Sequence, residues 1–192
     1  MLGETLENVL GTLRTDESFA ALIDCLEENE YRFCMANDPA LIRPLTNLIT
    51  QVTNGMSLFK GAENVRLAIA IQHALLNAMY RGNLELSRES VEVTDNGILF
   101  GNEPKIAKDR RNEEPYRDRC VHVSACINRN EVRIRIRDEG PGFDTSTVPA
   151  AADPETLVHE TGRGLLIMSS FMDGLAFNKE GNEVTMIKLA RE

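Results

Sequence analysis

Residues 120–137 read Cys120-Val121-His122-Val123-Ser124-Ala125-Cys126-Ile127-Asn128-Arg129-Asn130-Glu131-Val132-Arg133-Ile134-Arg135-Ile136-Arg137. Val121, Val123, Ala125 and Ile127 alternate with Cys120, His122, Ser124 and Cys126. Beyond the polar Asn128-Arg129-Asn130, Val132, Ile134 and Ile136 alternate with arginines. A period of two on both sides of a short turn is the pattern of a β-hairpin with one face buried. Arg133, Arg135 and Arg137 share its other face, where a solvated surface balanced by nearby acids is preferred to a binding patch.

Outward from the hairpin, the chain enters Asp138-Glu139-Gly140-Pro141-Gly142-Phe143-Asp144 and then a Gly-, Pro-, Ala- and Asp-rich stretch up to Gly164. Leu165–Met172 reads as helix, and Leu175–Phe177 pairs with Val184–Leu189 across Glu180-Gly181-Asn182. On the N-terminal side, Glu85–Arg119 is polar and poorly periodic, and its Lys108-Asp109-Arg110-Arg111 run reads as a solvated face. Before it comes a helix from about Ala62 to Tyr80, with Val65, Ile69, Ala70, His73, Leu76, Asn77 and Tyr80 near one stripe. Arg81-Gly82-Asn83 closes it. A second helix starts after Asn37-Asp38-Pro39 and ends at Thr53-Asn54-Gly55, with Tyr31–Met35 as a strand ahead of it. Glu4–Glu28 is helical, and its apolar stripe packs on its own domain or on a second copy, a homodimer. The order predicts an α+β protein: a two-layer sandwich with a mostly antiparallel sheet covered by helices. Residues 1–29 form an N-terminal helical extension and residues 30–192 the main domain.

The 192 residues are 42% hydrophobic and 27% charged, which excludes a disordered chain. No apolar run approaches the roughly 18 residues of a membrane span. The start, Met1-Leu2-Gly3-Glu4, is unlike a secretory signal, so a cytoplasmic protein is expected. A net charge of -9 argues against nucleic acid as the main partner. Cys25, Cys34, Cys120 and Cys126 form no CxxC pair and read as reduced thiols in or near the core.

Three further segments carry chemistry. Asn77 interrupts an apolar helical stripe, where a buried amide is costly without a partner. Asp138, at a strand end before Gly140 and Gly142, can accept from a ligand amine while the backbone comes close. Gly162-Arg163-Gly164-Leu165 opens a helix, where free N–H groups and the dipole suit phosphate oxygens.

In this order and spacing, the Asn77 helix, the Asp-x-Gly-x-Gly-Phe segment and the Gly-Arg-Gly-Leu segment resemble the three nucleotide boxes of the gyrase, heat-shock chaperone and histidine-kinase (GHKL) ATPase superfamily. Within it the chain looks most like the serine/threonine protein kinases that act as anti-sigma factors. The resemblance spans about Tyr31 to Leu189 and implies the GHKL fold with ATP and Mg²⁺ as cofactors. It implies that Asn77 holds Mg²⁺ through its carbonyl oxygen and that Asp138 accepts from the adenine amino group, with Gly140 and Gly142 beside the base. Gly162, Arg163, Gly164 and Leu165 would cradle the phosphates, Arg81 would add charge nearby, and Thr145–Thr161 would form a lid. The implied partner is a protein, either an anti-sigma antagonist or a sigma-like factor.

One position departs from the pattern. These kinases carry a general-base glutamate one helical turn before the box Asn, and here that residue is His73. Gln72 lies about 100° round the helix and an amide is no base. An imidazole, with an ordinary pKa of about 6.5, accepts a proton near neutral pH. The alternative is an impaired, ATP-dependent protein-binding module.

Overall fold

The computed structural model describes residue 18 and residues 21–87, 102–147 and 163–190, with the backbone alone at 147 and 163. Strand β1 (Glu28–Ala36) is followed by helices α1 (Ile42–Gly55) and α2 (Ala62–Leu76). After α3 (Lys105–Arg111) come β2 (Cys120–Asn128), β3 (Glu131–Arg137), α4 (Arg163–Phe171), β4 (Gly174–Phe177) and β5 (Glu183–Leu189). The five strands form one antiparallel sheet in the order β1-β2-β3-β5-β4. One face carries helices and the other is open among the described residues, which is the α+β sandwich expected from the sequence.

The hairpin has the anticipated register, with Val123 opposite Ile136 and Ala125 opposite Ile134, all buried. Asn128 Oδ1 accepts from the Asn130 and Glu131 amides and so shapes the turn. Arg133, Arg135 and Arg137 point away from the core. Arg133 pairs with Glu131 at 2.8 Å and Arg135 with Glu183 at 3.5 Å, the balanced face the sequence suggested.

Asp38 caps the entry to the first helical segment by accepting from the Ala40 amide, and Pro44 falls in the first turn of α1, where no N–H is needed. Lys188, 3% exposed, joins three elements. Its ammonium lies 2.5 Å from Glu63 at the start of α2 and 2.9 Å from the Phe171 carbonyl that ends α4. Asp173 is 3.6 Å away. A buried cation is held only where partners converge, so this cluster fixes α4 against α2.

Several sequence expectations are corrected. The cysteines are not in the core. Cys25 and Cys34 are exposed, and Cys120 and Cys126 lie on the open sheet face, because their strand positions alternate with the buried ones. On α2 the buried residues are Leu67, Ala70, Ile71, Ala74, Leu75 and Leu76, so Ala70 and Leu76 of the expected stripe, and Tyr80 beyond the helix, are buried as expected, whereas Val65 is 58% exposed. The apolar set nearer Ile69, His73 and Asn77 is the edge of the helix. The Lys108–Arg111 run is only partly a solvated face. Arg110 donates to the Leu84 and Glu85 carbonyls and sits 5.1 Å over Tyr116, and Arg111 pairs with Glu103. The N-terminal helical reading, Glu4–Glu28, runs too far, since β1 already begins at Glu28. Residues 21–24 are helical, and the rest of that reading, apart from residue 18, lies outside the described residues up to residue 20.

What is described of this N-terminal segment packs on the chain's own core. Ile23 and Leu26 contact it, and Ile23 lies 3.4 Å from where a Gly55 side chain would begin. Arg129, in the hairpin turn, donates to the carbonyls of Ile23, Asp24, Leu26 and Met56. One guanidinium thus meets four carbonyls at the ends of two helical segments, the Ile23 carbonyl also accepting from the Leu26 amide. Replacing Arg129 with alanine is expected to destabilise the protein by about 1–3 kcal/mol. The check is a thermal melt combined with hydrogen exchange, which should accelerate first over residues 23–26.

Candidate functional site

The site is built along one edge of α2 and its continuation. From Asn77 to Asn83 the helix widens into a π-helix, in which the Leu84 amide donates to the Met79 carbonyl at 2.9 Å. Such segments concentrate at functional positions because the wider turn re-aims side chains. The sequence reading placed an ordinary helix end at Gly82.

At one end of this edge, the start of α4 comes down on His73 and Asn77. A Cβ on Gly164 would lie 3.4 Å from Asn77 Nδ2, 3.6 Å from Asn77 Oδ1 and 3.7 Å from His73 Nδ1. His73 and Asn77 are half-buried, one turn apart on the same helix edge. The first turn of α4 thus meets an amide and an imidazole in a cradle at Gly164, where a Cβ would make ordinary contacts with both. Leu165 is buried behind it. Gly162 and the Arg163 side chain lie outside the described residues, as does the lid segment from 148 to 161. Thr145–Thr147 form a short 3-10 turn.

At the other end, Gly82 faces the Asp138 carboxylate so closely that a Cβ would collide with it. A Cβ on Gly140 would likewise collide with the Gly82 carbonyl. Gly142, with φ of +74°, packs its backbone against the Glu180 carbonyl in the β4–β5 turn. That turn is braced by Asn178, whose Oδ1 accepts from the Asn182 and Glu183 amides. The glycines are thus required by close backbone approach, and they hold Asp138 between α2 and the turn.

Asn83, which the sequence analysis treated only as part of a helix stop, is the fully buried hub of this end. It donates to Asn37 Oδ1 at 2.8 Å and accepts from the Glu139 amide at 2.7 Å. Its carbonyl accepts from Arg119. Asn37 in turn donates to the Tyr116 and Arg119 carbonyls. A second asparagine beside a helix-closing glycine was the only available signal. Its partners lie 46 and 56 residues away along the chain.

Asp138 is 9% exposed. Burial pushes its carboxyl up to about 6, against the lowering effects of the Gly140 amide, which donates to Oδ1 at 2.9 Å, its own amide and the Arg119 charge. Glu139 is held below the usual carboxylate range by His122 and by the Cys120 amide. Arg81 is exposed and donates to the Leu86 carbonyl at 2.9 Å, placing it on the outer side of the π turn. No group of three His, Cys, Asp or Glu side chains among the described residues could hold a metal ion. Any cation here would need oxygen donors such as the Asn77 amide together with a ligand.

Residues 35–188 match the family model of the histidine kinase-like ATPase domain. The chain belongs to that family. The match runs from the end of β1 to β5 and takes in every element that forms the site. No curated protein matches the chain significantly. The protein is accordingly an ATP-binding, histidine-kinase-like ATPase domain. No helix among the described residues is long and apolar enough to cross a membrane.

The raised carboxyl of this ATPase domain has a stability consequence of definite sign. A folded-state pKa above the unfolded value makes Asp138 stabilising when protonated, and that contribution is lost as pH rises through about 6. Keeping it ionised at higher pH costs about 3 kcal/mol, at roughly 1.36 kcal/mol for each unit between the ordinary value and about 6. Asp138→Asn preserves the acceptor for Gly140 and removes the charge. It is expected to raise Tm by roughly 6–12 °C near pH 8 and by much less near pH 4.5. Melting curves of both proteins across that range provide the test.

Proposed function

We propose that this ATPase domain is a regulatory protein of the anti-sigma-factor kinase type, which uses MgATP to phosphorylate or sequester a partner protein. The observation that carries the reading is the cradle at Gly164, where a helix N-terminus, the Asn77 amide and the His73 imidazole converge. A helix start offers N–H groups and a positive dipole to anionic oxygens, and Gly164 keeps that approach open. An amide oxygen for the cation and backbone N–H groups for the phosphates support that reading.

In this reading Asn77 presents its carbonyl oxygen to Mg²⁺, a hard cation that takes oxygen ligands. Gly162, Arg163, Gly164 and Leu165 direct the α4 N-terminus at the phosphates, and Arg81 adds positive charge at the rim. Asp138 accepts from the adenine amino group, and Gly140 and Gly142 bring the backbone alongside the base. Bound MgATP supplies the phosphoryl group and neutralises the charge that develops on it. His73 takes the proton from a serine or threonine hydroxyl of the partner, a task an imidazole performs near neutral pH. Partners of this type are an anti-sigma antagonist or a sigma-like factor. Residues 1–29 extend the ATPase domain of 30–192, a homodimer would use surfaces other than Ile23 and Leu26, which pack on the core, and the protein works in the cytoplasm.

A second reading is favoured by one observation, the imidazole where this kinase type has a carboxylate. In it, MgATP sets the shape of a partner-binding surface and no phosphoryl transfer follows.

Calorimetric titration with MgATP is expected to show binding that Asn77→Ala and Asp138→Asn weaken at least about tenfold, roughly the value of one strong polar contact. No heat and no thermal shift with the wild-type protein would sink the nucleotide assignment. A candidate partner incubated with labelled ATP separates the two readings. Transfer by wild type that is abolished in Asn77→Ala supports the kinase. A silent wild type that gains roughly a hundredfold or more in His73→Glu supports the binding module.

A further inference from the structure

The open face of the sheet holds a pair of thiols next to the Asp138 loop. On β1, Cys34 stands opposite His122, and Ala36 stands opposite Cys120. Cys34 and Cys120 are therefore diagonal neighbours on the same face, and both reach solvent at least in part. The strand ends that carry them lead directly to the site. Glu139 accepts from the Cys120 amide at 3.0 Å and lies 2.8 Å from His122 Nε2. The amide of the same Glu139 donates to Asn83, and Asp138 is the preceding residue.

We propose that Cys34 and Cys120 form an oxidation site that closes to a disulfide with hydroperoxides, and that closure shifts the Asp138–Gly142 loop. The effect on ATP rests on the nucleotide reading above; the thiol chemistry does not.

The balance is that of a two-electron oxidation. The Cys34 thiolate attacks the peroxide oxygen, the O–O bond breaks, and the hydroperoxide leaves as water or an alcohol. The resulting Cys34 sulfenic acid is attacked at sulfur by Cys120, which gives up its proton as the S–S bond forms and water leaves. The more exposed Cys34 meets the oxidant, and Cys120 resolves it. The hydrogen bond between the two thiols, aided by burial, pushes Cys120 up to about 11, consistent with its keeping the proton until sulfenic acid is present. Cys126 has no cysteine opposite or diagonal to it on β1. In register it faces Glu30, and burial together with the Glu28, Glu30 and Glu131 carboxylates raises its thiol. Diagonal neighbours sit roughly 7 Å apart at Cα, so the bond forms with a small closing movement of β1 and β2. That movement acts on the segment holding Asn37, the Cys120 amide and Glu139.

The test uses the full chain with the remaining cysteines replaced (C25S/C126S), treated with hydrogen peroxide and then with dithiothreitol. The expected product has lost the mass of two hydrogens, maps to a Cys34–Cys120 cross-link and is restored by the reductant. Hydrogen exchange at the Glu139 and Gly140 amides, measured without nucleotide, is expected to differ several-fold between the two forms. A further C34S change abolishes both effects. Oxygen accumulating on Cys34 with no cross-link, or a cross-link that leaves both amides unchanged, overturns the proposal. MgATP titration of the two forms should show a several-fold difference in affinity. If even the reduced protein binds no MgATP, the nucleotide reading has failed, and mass and exchange still decide the thiol pair.

Discussion

The contact on which the rest of the site depends is the buried Asn83, where three chain segments that share no secondary structure are tied together. One amide side chain satisfies the Glu139 N–H and the Asn37 oxygen, and its own carbonyl satisfies Arg119. Unpaired, each group would carry a desolvation penalty of about 1–3 kcal/mol, so the arrangement holds as a set or not at all. With Asn83 in place, Gly82 is brought against Asp138 and Gly140 at a separation that no side chain survives. The π turn makes this geometry available, because it carries Asn83 inward while leaving Arg81 outside.

Electrostatics at the site differ from what net charge suggests. A chain of net charge -9 belongs to a family that binds a polyanion. Backbone N–H groups at the start of α4, an amide oxygen and a bound cation can do this with little help from basic side chains. Arg133 and Arg135 of β3 pair with neighbouring carboxylates of the open face. Arg110 and Arg119 hold loop carbonyls and flank Tyr116, and Arg111 pairs with Glu103. Burial raises the Asp138 carboxyl toward neutrality, a perturbation of the kind that clusters at functional sites.

Much of the fold was legible because the decisive stretches are local. Strict alternation in 120–137 named the buried residues of both strands, and Glu180-Gly181-Asn182 marked the β4–β5 turn that the structure contains. Helix faces were harder. Val65 and Leu67 are two residues apart, yet only Leu67 is buried, since which of two apolar stripes meets the sheet depends on how the helix is rotated. The roles of Arg110, Arg111 and Arg129 were invisible, because a charge that holds distant carbonyls looks the same in sequence as one facing water.

From the sequence alone came the elements, the strand pattern, and the motif residues Asn77, Asp138, Gly140, Gly142 and Gly164 in their order along the chain. Periodicity and glycine placement are properties of neighbouring residues, so they survive in one dimension. Tertiary structure alone decided that Gly164 sits over His73 and Asn77, that Gly82 backs onto Asp138, and that Asn83 joins them. It also put the cysteines on the open face and brought Cys34 beside Cys120. Those contacts join residues tens of positions apart, and their formation depends on sheet register and helix packing, which no local pattern encodes.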